Sequence, residues 1–179
     1  YEASAIELFP RRPSRSPLQI TIDKEMTQRG TEMGLPPRPD IGFFGRDETL
    51  LALDRAFDSQ PIVLLHAFAG SGKTTTAAGF ARWYALTGGI TQSGAKGGAE
   101  GTIFFSSFEH RKTLTEALNE TIGRAFNDAL EASGVHWLTL KDEQRRAVAL
   151  QVMRQVPLLW IWDNVEPVNG FPAGTKSAW

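Results

Sequence analysis

Cysteine is absent from the 179-residue chain, which excludes disulfides and thiolate metal sites and makes a reducing, cytoplasmic setting the expected one. Long hydrophobic runs are missing too, so no segment approaches the length that crosses a bilayer and no membrane partner is expected. Charge of one sign does not prevail. With 19 basic and 20 acidic residues the net charge is −1, which leaves no global field to attract nucleic acid, and none is expected as a partner. Histidine is sparse, and His66, His110 and His136 lie too far apart to share a metal-ligand spacing. No signal-peptide pattern follows Tyr1, and a cut or processed N-terminus is the expectation there.

Proline, arginine and serine fill residues 1–40, as in "FPRRPSRSP" and "GLPPRPD", which predicts a linker or N-terminal extension. Arg11, Arg12 and Arg15 read as part of a solvated tether, and the weakly alternating residues 18–23 as a short edge strand. Residues 41–179 carry the alternation of an α/β domain. A helix is predicted from Asp47 to Asp58, with Leu50, Leu51, Leu53, Asp54 and Phe57 forming its apolar stripe. A buried strand follows at Ile62 to His66, then a helix opened by Lys73 and stopped at Gly88 and Gly89. The glycine-rich stretch 88–101 reads as a mobile loop. Beyond it come a strand at 102–108, one long helix over 112–132, a helix over 139–155 with Arg145 and Arg146 on a solvated face, and a strand at 158–163.

Chemistry enters at "AFAGSGKTTT", residues 67–76, between the first buried strand and its helix. The phosphate-binding signature G-x-x-x-x-G-K-[ST] is met at every position but its first, where Ala67 replaces glycine. Successive amides must turn inward round a phosphate, and Gly70 and Gly72 supply backbone conformations and close approach that a Cβ would block. The helix N-terminus adds partial positive charge. Phe68, Ala69, Gly70, Ser71, Gly72, Lys73, Thr74 and Thr75 therefore form the expected phosphate cradle, with Lys73 on the β- and γ-phosphates and the Thr74 hydroxyl on Mg²⁺. Ala67 fits such a loop only if its φ is negative.

A metal-holding carboxylate is expected at the end of a second buried strand, and "VPLLWIWDNVE" supplies Asp163. The next position, where many ATPases carry the carboxylate that activates water, holds Asn164, an amide that cannot accept a proton at neutral pH. Glu166 is the alternative base. Lys73, Asp163 and Glu166 are thus the catalytic candidates, Thr74 and Asp163 the metal candidates, and slow hydrolysis the expected outcome.

With "FFGRDETLLAL" upstream of "GSGKTTTA" and "LLWIWDNVE" downstream, the chain resembles the STAND class of signal-transducing P-loop ATPases, relatives of NB-ARC and NACHT proteins. The resemblance covers roughly residues 41–168. It implies a three-layer P-loop NTPase fold with a parallel sheet of the additional-strand (ASCE) type, incomplete at the C-terminus, in which the P-loop strand lies beside the metal-binding strand. It implies that Gly45 and Arg46 help to enclose the nucleotide, with Phe43 and Phe44 near the adenine. It also implies a fragment of a larger protein with effector and sensor domains elsewhere, self-association through the full-length protein, and an ADP-closed, ATP-open switch with weak ATPase activity. ATP or ADP with Mg²⁺ are the implied cofactors, and immunity or death signalling the implied setting. Two other readings remain open: an AAA-type remodelling ATPase, and a nucleotide-binding structural module that never hydrolyses.

Overall fold

The structure is a computed structural model that describes residues 5–8 (as backbone), 32–40, 42–90, 102–110 and 112–166. The expected edge strand at 18–23, Arg11, Arg12, Arg15 and all but the start of the loop at 88–101 lie outside these residues. The order is β1 (Ala5–Leu8), β2 (Glu32–Met33), α1 (Asp47–Ser59), β3 (Val63–His66), α2 (Lys73–Leu86), β4 (Thr102–Ser107), α3 (Leu114–Leu118), α4 (Asn127–Ala132), α5 (Asp142–Gln155) and β5 (Leu158–Asp163). The fold is mixed α/β, with a small parallel sheet of three strands in the order β2-β4-β5. Among the described residues no helix is long and apolar enough to cross a membrane.

The chain divides into two compact units. In the first, α1 and α2 bury Leu50, Leu53, Phe80 and Ala81. Phe80 stacks on Phe57 and Tyr84, with ring centroids 5.7 and 4.9 Å apart. Burial raises the Tyr84 phenol above its ordinary range, and the nearby Asp54 and Asp58 carboxylates add to the effect. β3 departs from expectation. It pairs antiparallel with β1, Ala5 opposite His66 and Leu8 opposite Val63, and belongs to a two-stranded sheet with β1. It is also only half-buried along Val63–Leu65, with His66 exposed and Ile62 58% exposed, where the apolar run predicts full burial. A strand in a two-stranded ribbon has few neighbours to cover its faces, which accounts for the difference.

The second unit is built round β4 and β5, which pair in parallel register from Thr102 opposite Leu158 to Ser107 opposite Asp163. Their apolar, aromatic sequences suit a sheet covered by helices. Phe104 is fully buried and meets Phe126 and Trp160 edge to face at 6.3 and 5.9 Å. β2 adds to the other edge of β4, Met33 opposite Phe104, within the stretch expected to be linker. Gly34 then takes φ +78°, and a Cβ there would stand 2.5 Å from the Phe105 carbonyl oxygen.

The long helix expected over 112–132 is divided. Thr113 caps α3 through a reciprocal box: its Oγ1 accepts from the Glu116 amide at 3.2 Å, while its own amide donates to Glu116 Oε2 at 2.6 Å. A π-helical turn, Asn119–Gly123, follows α3, and the chain leaves helical geometry at Phe126 before α4. Trp137, in a 3₁₀ turn ahead of α5, donates from Nε1 to Asn119 Oδ1 at 2.9 Å and lies over Gly123. Arg145 is no freely solvated residue. Its guanidinium reaches the carbonyls of Trp137 and Leu138 at 3.4 and 3.2 Å and pairs with Asp142 at 3.2 Å. The Trp137 carbonyl also accepts from the Leu140 amide at 3.3 Å, so the guanidinium adds a second donor there and reaches the Leu138 carbonyl as well.

Hydrogen bonds from Thr113 hold the Glu116 carboxyl below its ordinary range. Because the folded-state pKa is lowered, its contribution is present above the unfolded pKa and is lost as pH falls through the folded one. The Thr113 amide resonance is expected to shift with the Glu116 carboxyl titration at a pH below that of a free glutamate. A midpoint at the free-glutamate value would remove the box as its cause.

Candidate functional site

The loop between β3 and α2 has the conformation its sequence requires. Gly70 and Gly72 take φ +76° and +82°, in the left-handed region that glycine enters at least cost. Among the described residues Asn164 alone has a positive φ without being glycine, so Ala67 sits at negative φ, the condition for alanine to replace glycine there. Gly72 is the N-cap of α2, and the Thr76 amide donates to its carbonyl at 2.8 Å, closing the first helical turn. The N-terminal end of α2 is thereby presented to the loop.

Lys73 turns back over this loop. Its Nζ donates to the carbonyls of Ala67 at 3.0 Å and Phe68 at 3.4 Å, which holds the ammonium over the loop. The Ser71 Oγ is buried with no hydrogen-bond partner among the described residues. Such an orphaned hydroxyl is costly and fits a site that completes its hydrogen bonds with a ligand. Thr74 and Thr75 occupy the first turn of α2, while Phe68 and Ala69 are exposed along the loop.

The upstream element comes to the loop through one residue. Gly45 takes φ +73° and Arg46 caps α1. From there the Arg46 Nη2 donates to the Ser71 carbonyl at 2.7 Å. The neighbouring phenylalanines separate in role. A Cβ at Gly79 would meet the Phe43 ring at 2.9 Å, so Phe43 packs on α2, while Phe44 is 81% exposed.

Asp163 ends β5 in the second unit, in register with Ser107. Its carbonyl accepts from the Phe108 amide at 2.8 Å, and Asn164 Nδ2 lies 3.5 Å from its Oδ2. Asn164 turns the chain with φ +55°, a conformation asparagine tolerates better than most residues. Glu166 is exposed in the turn beyond. Hence Arg46, Ser71 and Lys73 are brought together within the first unit, and Asp163, Asn164 and Glu166 follow one another in the second. Sequence reasoning placed no emphasis on Ser71 beyond the cradle. The buried hydroxyl has no signature of its own, since serine occupies a variable position of the motif.

Comparison with family models, curated proteins and solved structures finds no match. Among the described residues no cluster of three carboxylate or imidazole groups is placed to hold a metal by itself. A Mg²⁺ shared with nucleotide phosphates needs fewer protein ligands, one or two oxygen donors sufficing.

Proposed function

We propose that the chain binds ATP or ADP through the loop at 67–75 and serves as the nucleotide switch of a STAND-like signalling ATPase. The observation that carries this reading is the ligand-ready loop. Two left-handed glycines lead into a helix N-terminus, Lys73 is held over the loop carbonyls, and Ser71 Oγ is buried and unsatisfied. Phosphate oxygens would take the inward amides, the Lys73 ammonium and the Ser71 hydroxyl. Thr74, in the first turn of α2, is the loop residue that would offer its hydroxyl to Mg²⁺, whose charge offsets that of the phosphates. The proposed fold is the additional-strand P-loop NTPase fold. The proposed setting is cytoplasmic, with self-association and coupling to effector and sensor domains through a longer protein.

A second reading, a nucleotide-binding module that does not turn over, is favoured by one observation. Asn164 occupies the position of the usual catalytic carboxylate, and Glu166 stands exposed in a turn. Calorimetric titration with ATP and ADP, with and without Mg²⁺, tests binding. A ³²P-release assay over hours separates the two readings. The expected result is binding strengthened by Mg²⁺ for ATP, with hydrolysis slower than about one turnover per minute, well under the common enzyme range. Absence of binding by folded protein would sink both readings, and binding with no phosphate release would leave the module.

A further inference from the structure

We infer that Arg46 is a positioning residue for the phosphate loop, acting on the Ser71 peptide and not on the nucleotide base; this rests on the nucleotide-binding reading above. In a trans peptide the carbonyl of one residue and the N–H of the next point in opposite directions. The Arg46 Nη2 donates to the Ser71 carbonyl at 2.7 Å, so that carbonyl faces the guanidinium and the Gly72 N–H of the same peptide faces away from it. Holding the carbonyl at 71 therefore also sets the direction of the amide at 72.

Neighbouring geometry fixes the clamp at both ends. The Arg46 carbonyl accepts from the Leu50 amide at 2.9 Å, so the arginine backbone is anchored in the first turn of α1. On the loop side the Ser71 amide donates to the Phe68 carbonyl at 3.3 Å. Ser71 is therefore held at both backbone groups, and its hydroxyl is what remains to be satisfied. Gly72 follows with φ +82°, while a Cβ there would meet Arg46 Nη2 only at an ordinary contact distance of 3.8 Å, so the backbone angle and not crowding by Arg46 calls for glycine. Neither ion pair found among the described residues involves Arg46.

A residue that shapes the loop acts alike on every ligand with the same phosphates, whereas one that reads the base discriminates among them. The test compares ATP, GTP and inorganic tripolyphosphate on the wild-type chain, Arg46→Ala and Arg46→Lys. Amide hydrogen exchange over residues 68–72 is followed in the ligand-free proteins. Loss of a charge-assisted hydrogen bond is expected to weaken all three ligands by a common factor of about ten. It should also speed loop exchange, and lysine should restore part of each effect. A loss confined to ATP, with tripolyphosphate unaffected, would overturn the inference, as would unchanged loop exchange. If Arg46→Ala does not fold, Arg46→Lys carries the same three-ligand comparison. Should the wild-type chain bind none of the three, the nucleotide reading fails, and the exchange rates alone decide whether Arg46 holds the loop.

Discussion

Lys73→Ala is expected to lower affinity for ATP and ADP by about a hundredfold or more while leaving the ligand-free fold intact. The magnitude follows from what is removed. Truncating one partner of a desolvated, hydrogen-bonded charge pair costs roughly 2–5 kcal/mol, and each 1.4 kcal/mol is a factor of ten. The ammonium is already placed by the Ala67 and Phe68 carbonyls at 3.0 and 3.4 Å, so little of its binding contribution is spent on ordering the side chain. Without it those exposed loop carbonyls return to water, which is why the fold should tolerate the change. Lys73→Arg keeps the charge but brings a planar fork in place of a compact ammonium, and partial recovery is expected. Calorimetry on the three proteins, with circular dichroism to establish folding, reads the result. An alanine variant within threefold of wild type would show that phosphates are not held by this loop.

The second large effect is on stability. Gly123 lies in the π-helical turn, and a Cβ there would stand 2.3 Å from Trp137 Nε1 and 2.6 Å from its Cε2. The indole cannot yield easily. Trp137 is 3% exposed and its Nε1 is bonded to Asn119 Oδ1, so displacement both overpacks the core and breaks that bond. Overpacking costs about 1–3 kcal/mol and an unsatisfied buried donor a similar amount. Gly123→Ala is expected to destabilise the second unit by about 2–5 kcal/mol, a large share of the stability of an ordinary domain. Urea denaturation followed by far-ultraviolet circular dichroism measures it. A loss under about 1 kcal/mol would mean that the turn relaxes to ordinary α-helix without needing the indole where it stands.

What the sequence disclosed, and what it withheld, divides along the range of the forces involved. β5 was legible to the residue because Pro157 and Asn164 bound a short apolar run. The turn conformation at Gly70 and Gly72 was legible because glycine answers a purely local demand for positive φ. The break in the long helix was not. It depends on Trp137 reaching back to Asn119 and Gly123, and a helical periodicity carries no trace of a contact made by a later turn. Arg145 was misread for the same reason, since the carbonyls it satisfies belong to a 3₁₀ turn outside its own helix. The antiparallel partner of β3 lies in residues 5–8, where a proline-rich composition obscures a short strand.

One feature of the first unit reaches further than its packing. The segment from Pro36 to Arg46 is fastened to α2 and its loop at successive points: the Arg82 guanidinium on the Pro36 carbonyl, the Phe43 ring on Gly79, and Arg46 on Ser71. The fastenings run in opposite order along the two strips of chain, so the segment lies along α2 like a lever laid on its fulcrum. Its lead-in, Pro36, Pro37 and Pro39, belongs to the stiffest kind of backbone, which transmits displacement instead of absorbing it. Gly42 and Gly45, both at positive φ, are its joints. The division between the two units falls at Pro36, so these three fastenings hold the segment to the first unit.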